Sequence, residues 1–367
     1  MKFSIKREAL LEPLQLVSNV VERRQTLPIL SNLLMVAGDK LMLTGTDQEV
    51  EISAGTAEFK CSESGEITVP ARKLLDITRS LPESASMEFR LEGNRLAIES
   101  GRFKSHLATL PSIDFPNVEM VSNEQSFDLP ANSLHQLLEK TSFAMAQQDV
   151  RYFFNGVLVE IEDKQIRFVA TNGQRLAISV MNEVAEGQGL QQFIIPRKGV
   201  NELARVVPDN SDLTVSLEFS ANHMQAKCGE AILTTKLIDA TYPDYTKAIP
   251  ENGDKTLMGD RVEIREALVR TAILSNEMYR NVRLILAPGK LEMHSNNPLQ
   301  EEAEETVSVE YTGSNLEIGF NVSFLIDVLS AMQGDKVQMV LSDANSACLM
   351  TDPDDINSRY VISPMML

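Results

Sequence analysis

The sequence has few cysteines, no long apolar run and no leader-like start. Its three cysteines, Cys61, Cys228 and Cys348, stand far apart. They are too few for a disulfide framework and lack the spacing of a metal site, so we expect a reducing, cytoplasmic environment. No run of 18 or more apolar residues is present, which predicts that no helix crosses a membrane. The charged N-terminal stretch lacks the apolar segment of a signal peptide.

Recognisable catalytic patterns are also missing. The chain has no glycine-rich phosphate loop, no HExxH and no CxxC, and none of its four histidines stands beside a cysteine or serine in a suggestive way. The run Glu301–Glu305 could be read as the metal site of a hydrolase. Adjacent carboxylates on alternating strand faces rarely converge on one ion, so an acidic surface strip is favoured. We therefore expect no catalytic activity, no metal and no cofactor.

Basic residues are outnumbered, and the net charge of −18 argues against a protein that coats its surface with nucleic acid. The charge is unevenly distributed, with −4 in residues 1–126, −5 in 127–252 and −9 in 253–367. This difference suggests that the two ends of the chain meet different surfaces, including each other. Neutral drift of solvated charge is an equally good interpretation at this point.

Two blocks of sequence recur at a nearly constant spacing. The first block is LMLTGTD (41–47), IRFVATN (166–172) and LEMHSNN (291–297), at offsets of 125. The second is VPARKLLDI (69–77), IPRKGVNEL (195–203) and FNVSFLIDV (320–328), at offsets of 126 and 125. Two independent blocks with one period are hard to obtain by chance, so we predict three tandem copies of one domain. Their predicted bounds are 1–126, 127–252 and 253–367.

The pattern within each repeat predicts an α+β domain. A short alternating strand, at 3–8 and 127–132 in the first two repeats, precedes an amphipathic helix. Hairpin turns follow at 38–40, 162–164 and 288–290, and a second short helix at about 71–80, 197–206 and 322–332. Strand, helix and strands thus occur twice per repeat, so each domain is expected to be a doubled unit. The predicted apolar stripes of the first helices are Leu10, Leu11, Leu14 and Val17; Leu134, Leu137, Leu138 and Thr141; and Ile264, Ala267, Leu268 and Ile273.

The second helices of repeats one and two are rich in basic residues. Arg72, Lys73 and Arg79 stand with a single Asp76, and repeat two has a similar set in Arg197, Lys198 and Arg205 with Glu202. Such helices could line a surface that attracts phosphates. Ordinary helix-terminal charge is the alternative, and the third copy has no basic residue. No aromatic interleaving typical of base stacking is present.

Ten motifs in matching order resemble one family from end to end. They are TLPILSNLL (26–34), GTD (45–47), VPARKLLDI (69–77), MAQQDVRYFFNG (145–156), ATNGQRLA (170–177), IPRKGV (195–200), YPDY (242–245), NNPLQEEAEE (296–305), GFNVSFLIDVL (319–329) and the ending SPMML. The chain resembles the bacterial DNA polymerase III beta subunits, the replicative sliding clamps.

The resemblance implies a ring. Clamps of this family are head-to-tail homodimers whose six similar domains enclose double-stranded DNA, with helices on the inner face and sheets outside. A closed ring stays on DNA because it encircles the duplex, so it needs no sequence-specific or strong DNA contacts. It also tethers the replicative polymerase and repair proteins to the DNA. The resemblance further implies an ATP-driven clamp loader, no catalytic role and no membrane contact. Two alternatives from other classes are a peptide-binding repeat scaffold that does not encircle DNA and the metal-dependent hydrolase.

The resemblance also implies a groove between repeats two and three that accepts short peptides from partner proteins. Its matching positions are Phe154, Thr171, Gly173, Gln174, Arg175, Leu176, Pro243, Lys247, Ala347, Val361, Ser363, Pro364, Met365 and Leu367. Gln174, Lys247, Ser363 and Met366 depart from the commoner family residues, so peptide preference is expected to differ. Ordinary edge-strand packing of Met365 and Leu367 is the competing interpretation.

DNA-contacting and subunit-contacting residues are carried over in the same way. The DNA set is Arg24, Arg72, Gln148, Tyr152, Phe153, Arg197 and Lys198, and for Tyr152 and Phe153 a place in a strand core is the alternative. The dimer set joins Lys73, Arg95, Arg102, Lys104 and Leu107 of repeat one to Ile273, Leu274, Glu301, Glu302 and Glu304 of repeat three. Ser105 stands where the family commonly has phenylalanine, and Ile273 and Leu274 could instead be core residues.

Overall fold

The computed structural model of the chain describes residues 1–22, 27–116, 118, 125–182, 189–209 and 212–366. These residues form six α-helices, two in each repeat: α1 (Arg7–Val20), α2 (Ala71–Ser80), α3 (Ala131–Ser142), α4 (Arg197–Val206), α5 (Arg261–Ala272) and α6 (Val322–Ala331). The predicted second helices at 71–80, 197–206 and 322–332 are confirmed, the third ending one residue early.

The described residues also form 25 strands. Repeat one contains β1 (Lys2–Lys6), β2 (Asn32–Ala37), β3 (Leu41–Thr46), β4 (Val50–Thr56), β5 (Phe59–Glu63), β6 (Gly65–Pro70), β7 (Ser86–Glu92), β8 (Arg95–Ser100) and β9 (Phe103–Ala108). Repeat two contains β10 (Gln125–Pro130), β11 (Gly156–Glu162), β12 (Gln165–Thr171), β13 (Arg175–Asn182), β14 (Gln191–Pro196), β15 (Thr214–Phe219), β16 (His223–Cys228) and β17 (Ala231–Lys236). Repeat three contains β18 (Lys255–Asp260), β19 (Asn281–Ala287), β20 (Lys290–Asn296), β21 (Glu302–Ser308), β22 (Leu316–Asn321), β23 (Lys336–Leu341), β24 (Cys348–Asp352) and β25 (Asp355–Ile362).

Every helix begins at the residue after a strand ends, which confirms the doubled strand–helix–strands unit. The opening strands lie slightly earlier than predicted. β1 ends at Lys6 and β10 at Pro130, because the helices already begin at Arg7 and Ala131. The predicted hairpins are confirmed by the antiparallel pairs β2–β3, β11–β12 and β19–β20. In the last of these turns Gly289 has a φ of +77°, a left-handed conformation that favours glycine.

The strands form four sheets, ordered β5-β1-β7-β8-β9, β10-β15-β16-β17-β4-β3-β2-β6, β14-β11-β12-β13-β25-β24-β23-β18 and β21-β20-β19-β22. All their strand pairs are antiparallel. The two eight-stranded sheets each combine strands of two repeats, because β17 pairs with β4 and β13 pairs with β25. Neighbouring repeats are therefore joined by continuous backbone hydrogen bonding.

The chain forms two compact units. One comprises residues 1–135 and 198–237, and the other comprises 136–197 and 238–367. The first contains the five-stranded sheet and the sheet from β10 to β6, and the second contains the other two sheets. Repeat two thus contributes strands to both units.

The helices bury apolar stripes against the sheets. In α3, Leu134, Leu137, Leu138 and Thr141 are all buried, as predicted. In repeat one α1 packs on β3 and β4, and a Cβ at Gly45 would come 2.8 Å from Val17. The predicted apolar stripe of α5 is wrong in its last residue, because Ile273 comes after the end of the helix and is 74% exposed. The stripe of α1 includes Leu11, which is only half-buried.

No helix among the described residues has both the length and the apolar character needed to span a membrane. The three cysteines are free: Cys61 is exposed, and Cys228 and Cys348 are buried.

Candidate peptide groove, basic surfaces and edge strands

An apolar cluster in the second compact unit gathers several residues of the predicted groove. It lies where β11, β12, β13 and β25 run side by side next to the short turn Tyr152–Phe154. Its buried members are Ala146, Phe154, Leu158, Val169, Leu176, Ile178, Ile194, Tyr242 and Val361, and Ala347 packs against it. We call this set the groove cluster. The predicted groove residues Phe154, Leu176, Ala347 and Val361 thus come together.

The loop between β12 and β13 is a tight turn held by side chains of the ATNGQRLA motif. The Thr171 hydroxyl donates to the Arg175 carbonyl at 2.5 Å, and the Asn172 side-chain oxygen accepts from the backbone N–H groups of Gln174 and Arg175, both at 3.0 Å. Gly173 has a φ of +86°, which this turn requires and which residues with a side chain adopt at a cost. The motif therefore specifies the shape of this turn, which carries five of the predicted groove residues.

Arg175 supports this turn from inside. Its side chain is only 10% exposed and forms an ion pair with Asp327 of α6. The guanidinium also donates to the Phe143 carbonyl and lies over the Phe324 ring at 4.5 Å. These contacts occupy most of the group, so Arg175 holds repeat three against the loop of repeat two and presents little charge to a ligand.

The C-terminal segment, also predicted to line the groove, is bonded to the turn between β12 and β13 and to β22. Leu176 and Val361 are cross-strand partners, and the Ser363 N–H donates to the Gln174 carbonyl at 2.8 Å. The Met365 N–H donates to the Gly319 carbonyl at 2.8 Å. A cavity of about 340 Å³ adjoins this bridge, and it is lined by Ile318, Gly319, Ala344, Asn345, Pro364, Met365 and Met366. Met365 is half-buried, so both predicted roles, packing and ligand contact, remain open to it; Leu367 lies outside the described residues.

The YPDY segment packs on the groove cluster. Tyr242 is buried and packs edge-on against Phe154, with ring centroids 5.8 Å apart. Pro243 and Lys247 are exposed, and Lys247 lies 3.3 Å from the Asp244 carboxylate. The predicted groove set includes Pro243 and Lys247 but misses Tyr242 and Tyr245. The apolar spacing within this segment was their only available signal.

The predicted DNA residues fall into two groups. Gln148 and Tyr152 are exposed, and the Arg72 guanidinium is exposed while donating to the Val21 carbonyl at 3.1 Å. Phe153 is half-buried and packs on the groove cluster, and its assignment to DNA stays a prediction. Neither Tyr152 nor Phe153 lies in a strand, because both belong to a short 3-10 turn. Arg24 lies outside the described residues.

Carboxylates offset the charge of two of the three predicted basic residues of α4. Lys198 forms ion pairs with Glu22, at 2.6 Å, and with Asp47. Burial opposes the charged form of Lys198, but these two carboxylates outweigh burial and raise the pKa of its ammonium group. Arg205 pairs with the buried Glu202 at 2.5 Å.

Arg197, the first residue of α4, donates to the carbonyls of Met145 and Ala146, both at 3.3 Å. Of the predicted basic residues, Lys73 and Arg79 on α2 are exposed, and neither has an ion pair within the described part of the chain.

Strand β9 ends the five-stranded sheet and carries predicted dimer residues. Lys104 is exposed and lies 3.2 Å from Glu99 of β8, and Arg95 and Arg102 are exposed nearby. Leu107 is only 7% exposed, since it packs in the core of its own sheet. Its assignment as an apolar dimer contact stays a prediction; Phe103, 38% exposed, is the more accessible apolar side chain of β9.

Strand β21 ends the four-stranded sheet and carries the acidic run. Glu302 and Glu304 are exposed on one face, and Glu305 turns to the other face, where it pairs with Arg270 at 2.5 Å. Glu304 lies 3.0 Å from His294. The carboxylates thus diverge, and no group of three or more His, Cys, Asp or Glu side chains in the described residues is placed to hold a metal. The hydrolase alternative has no support.

Beside β21, Ile273 is largely exposed and Leu274 is half-buried. An exposed isoleucine and an edge strand with exposed carboxylates are both typical of protein contact surfaces.

Family models match nearly the whole chain. The N-terminal domain of the DNA polymerase III beta subunit matches residues 1–119, the central domain 128–244 and the C-terminal domain 246–366. These matches confirm the three tandem domains.

Full-length relatives agree. The beta sliding clamp of Pseudomonas aeruginosa is 50% identical and that of Escherichia coli K12 is 45% identical, each over 368 residues that cover all of both chains. A crystal structure of the Pseudomonas aeruginosa clamp bound to griselimycin has a TM-score of 0.96 at 50% identity, and Caulobacter crescentus pol III beta has 0.92 at 36%, both with complete coverage of both chains. The chain therefore belongs to the family of DNA polymerase III beta subunits, the beta sliding clamps.

Proposed function

We propose that two copies of this chain close head to tail into a ring that encircles duplex DNA and tethers the replicative polymerase and repair proteins. Repeat one of each copy contacts repeat three of the other. The protein acts without catalysis, in the cytoplasm, and an ATP-driven loader places it on DNA. The proposed domain bounds are 1–126, 127–252 and 253–367.

One observation carries the proposal: β9 of the five-stranded sheet and β21 of the four-stranded sheet are edge strands surrounded by side chains of opposite charge. β9 lies among the exposed Arg95, Arg102 and Lys104, and β21 carries the exposed Glu302 and Glu304. An unpaired edge strand offers backbone donors and acceptors to another strand, and complementary charges select the partner and its register. A heterologous contact of this kind closes into a ring when the rotation allows it.

The weak basic character supports sliding. The net charge is −18, and on α4 both Lys198 and Arg205 are neutralised by carboxylates. A surface with few free cations makes few phosphate contacts, so a ring can stay on DNA by topology and still move along it.

The groove cluster supports the tethering role. Its apolar residues suit the apolar anchors of a short peptide, and the half-buried Met365 of the C-terminal segment can adapt to varied partners. A partner held there stays at high effective concentration near the primer end, which raises processivity without new DNA contacts.

Retention on circular and linear DNA tests the proposal. The protein is loaded by a clamp loader and ATP onto nicked circular DNA and separated from free protein by gel filtration. We expect retention on the circle and loss after one restriction cut. Equal retention on both forms would refute encirclement. A strictly monomeric mass in sedimentation would refute the ring independently.

A further inference from the structure

A row of polar side chains crosses the sheet beside the groove cluster. Glu160 of β11 is the cross-strand partner of Arg167 on β12 and of Gln192 on β14. Arg167 donates to Glu160 Oε2 at 2.8 Å, and Gln192 donates to Glu160 Oε1 at 2.7 Å. Side chains of directly paired residues lie on the same face of a sheet, so the three stand in one line.

The next row on that face is apolar and belongs to the groove cluster. Two residues along each strand, Ile194, Leu158 and Val169 are paired in the same way, and all three are buried. Successive residues on one face of a strand are about 7 Å apart. The polar row is therefore the immediate neighbour of the groove floor.

Tyr245 connects this row to the YPDY segment. Its hydroxyl donates to Glu160 Oε2 at 2.5 Å and accepts from Arg167 Nη1 at 3.2 Å. The Glu160 side chain is only 7% exposed, yet it accepts from three donors. Burying a carboxylate is costly unless it is paired and hydrogen-bonded, and here both conditions are met.

The proton that this link needs is retained at neutral pH. Burial and the neighbouring Glu160 raise the pKa of Tyr245 above its ordinary value, although Arg167 acts in the opposite direction. The hydroxyl therefore remains a donor to Glu160 over the whole physiological range.

Tyr245 is also the first residue of a short 3-10 turn, Tyr245–Ala248. The Asp244 carboxylate caps this turn by accepting from the Thr246 N–H at 3.2 Å. The turn carries the predicted groove residue Lys247, and Pro243 precedes it. Three contacts hold the segment on the sheet: the buried Tyr242 ring, the Tyr245 hydroxyl and Ile249, which packs against the groove cluster.

We infer that Glu160, Arg167 and Tyr245 are positioning residues for the peptide groove, because they fasten the groove wall at 242–249 to the sheet. The inference rests on the proposed peptide-binding function. None of the three is required to touch the peptide; their role is to hold Pro243, Lys247 and the Tyr242 ring in the arrangement that the peptide meets.

The test is the variant Tyr245→Phe, which keeps the ring and removes the hydroxyl. Binding of a fluorescently labelled synthetic peptide, copied from the clamp-binding segment of a bacterial replicative polymerase, is measured by anisotropy and stopped flow. We expect Kd to rise about tenfold, mostly through faster dissociation, since a buried acceptor loses a donor and the wall is released. Amide hydrogen exchange within 242–249 should accelerate in the same variant.

Tyr311→Phe is the matched control, because the Tyr311 hydroxyl donates to the Ser314 carbonyl at 2.5 Å and neither residue belongs to the groove cluster. We expect Tyr311→Phe to leave peptide affinity unchanged even if it lowers the melting temperature as much as Tyr245→Phe does. Glu160→Gln combined with Tyr245→Phe should weaken binding by less than the product of the single effects, because both break one link.

A Kd for Tyr245→Phe within twofold of wild type, while exchange in 242–249 accelerates, would overturn the positioning role. Failure of the wild-type protein to bind the peptide at all would instead refute the proposed groove and remove the basis of the inference. The two failures are thus distinguishable.

Discussion

Ile273 offers a direct measure of the proposed subunit contact. It follows α5, is 74% exposed and lies in repeat three. Ile273→Ala removes three side-chain carbon atoms, and each buried carbon contributes about 0.8 kcal/mol. Multiplied by the exposed fraction of Ile273, which the partner would cover, the loss of binding free energy is about 1.8 kcal/mol per contact. A head-to-tail dimer contains the contact twice, so the dissociation constant should rise by about 10² to 10³.

Sedimentation over a dilution series measures this constant. Ile356→Ala is the matched control, because Ile356 is 83% exposed in the same repeat but lies outside the predicted contact. It removes the same atoms and should leave the dimer unchanged. Alanine suits the helical backbone of Ile273, so the variant is expected to fold normally. Equal dissociation constants for the two variants would refute the placing of Ile273 in the subunit contact.

Three further predictions concern other parts of the chain. Iodoacetamide at pH 8 should modify the exposed Cys61 in the folded protein and should modify Cys348 only after unfolding, because burial shields the Cys348 thiol and raises its pKa. Equal rates of modification of the two thiols, measured by mass spectrometry, would contradict the buried position of Cys348. Lys198→Met should lower the free energy of unfolding, measured by urea titration, by about 1–3 kcal/mol, because it leaves the buried Asp47 carboxylate without its ion pair. Lys40→Met, which breaks the exposed pair with Glu230, should lower it by less than about 0.5 kcal/mol. Gly173→Ala should weaken peptide binding in anisotropy titrations, because a side chain at a φ of +86° costs about 1–2 kcal/mol and its Cβ would lie 3.0 Å from Arg151; unchanged affinity would show that the turn adapts.

Much of the fold could be predicted from local pattern. The three copies, the six helices and the hairpin turns follow from spacing, amphipathicity and turn residues, which act within a few residues of each other. The helix of ARKLLDITRS buries Ala71, Leu74, Leu75 and Thr78 and exposes its charges, as its periodicity indicates. Resemblance supplied most of the groove residues, and four of them fall within or against one apolar cluster.

Local pattern is not enough where long-range contacts decide. Lys198 meets Asp47, 151 residues earlier, which no nearby residue indicates. Leu107 and Ile273 are both apolar residues beside charged ones, but the first is buried and the second is exposed, so Ile273 was wrongly placed in the buried stripe of α5.

Residue order alone was enough to recognise three copies of one α+β domain and the resemblance to the sliding clamps, because repeats and motifs lie along the chain. Which charges are paired, which apolar side chains reach solvent, and that Tyr245 meets a carboxylate 85 residues away became visible only in the folded chain. Burial and pairing depend on which strands become neighbours. That choice is made by the whole hydrogen-bonded sheet and cannot be read from any single segment.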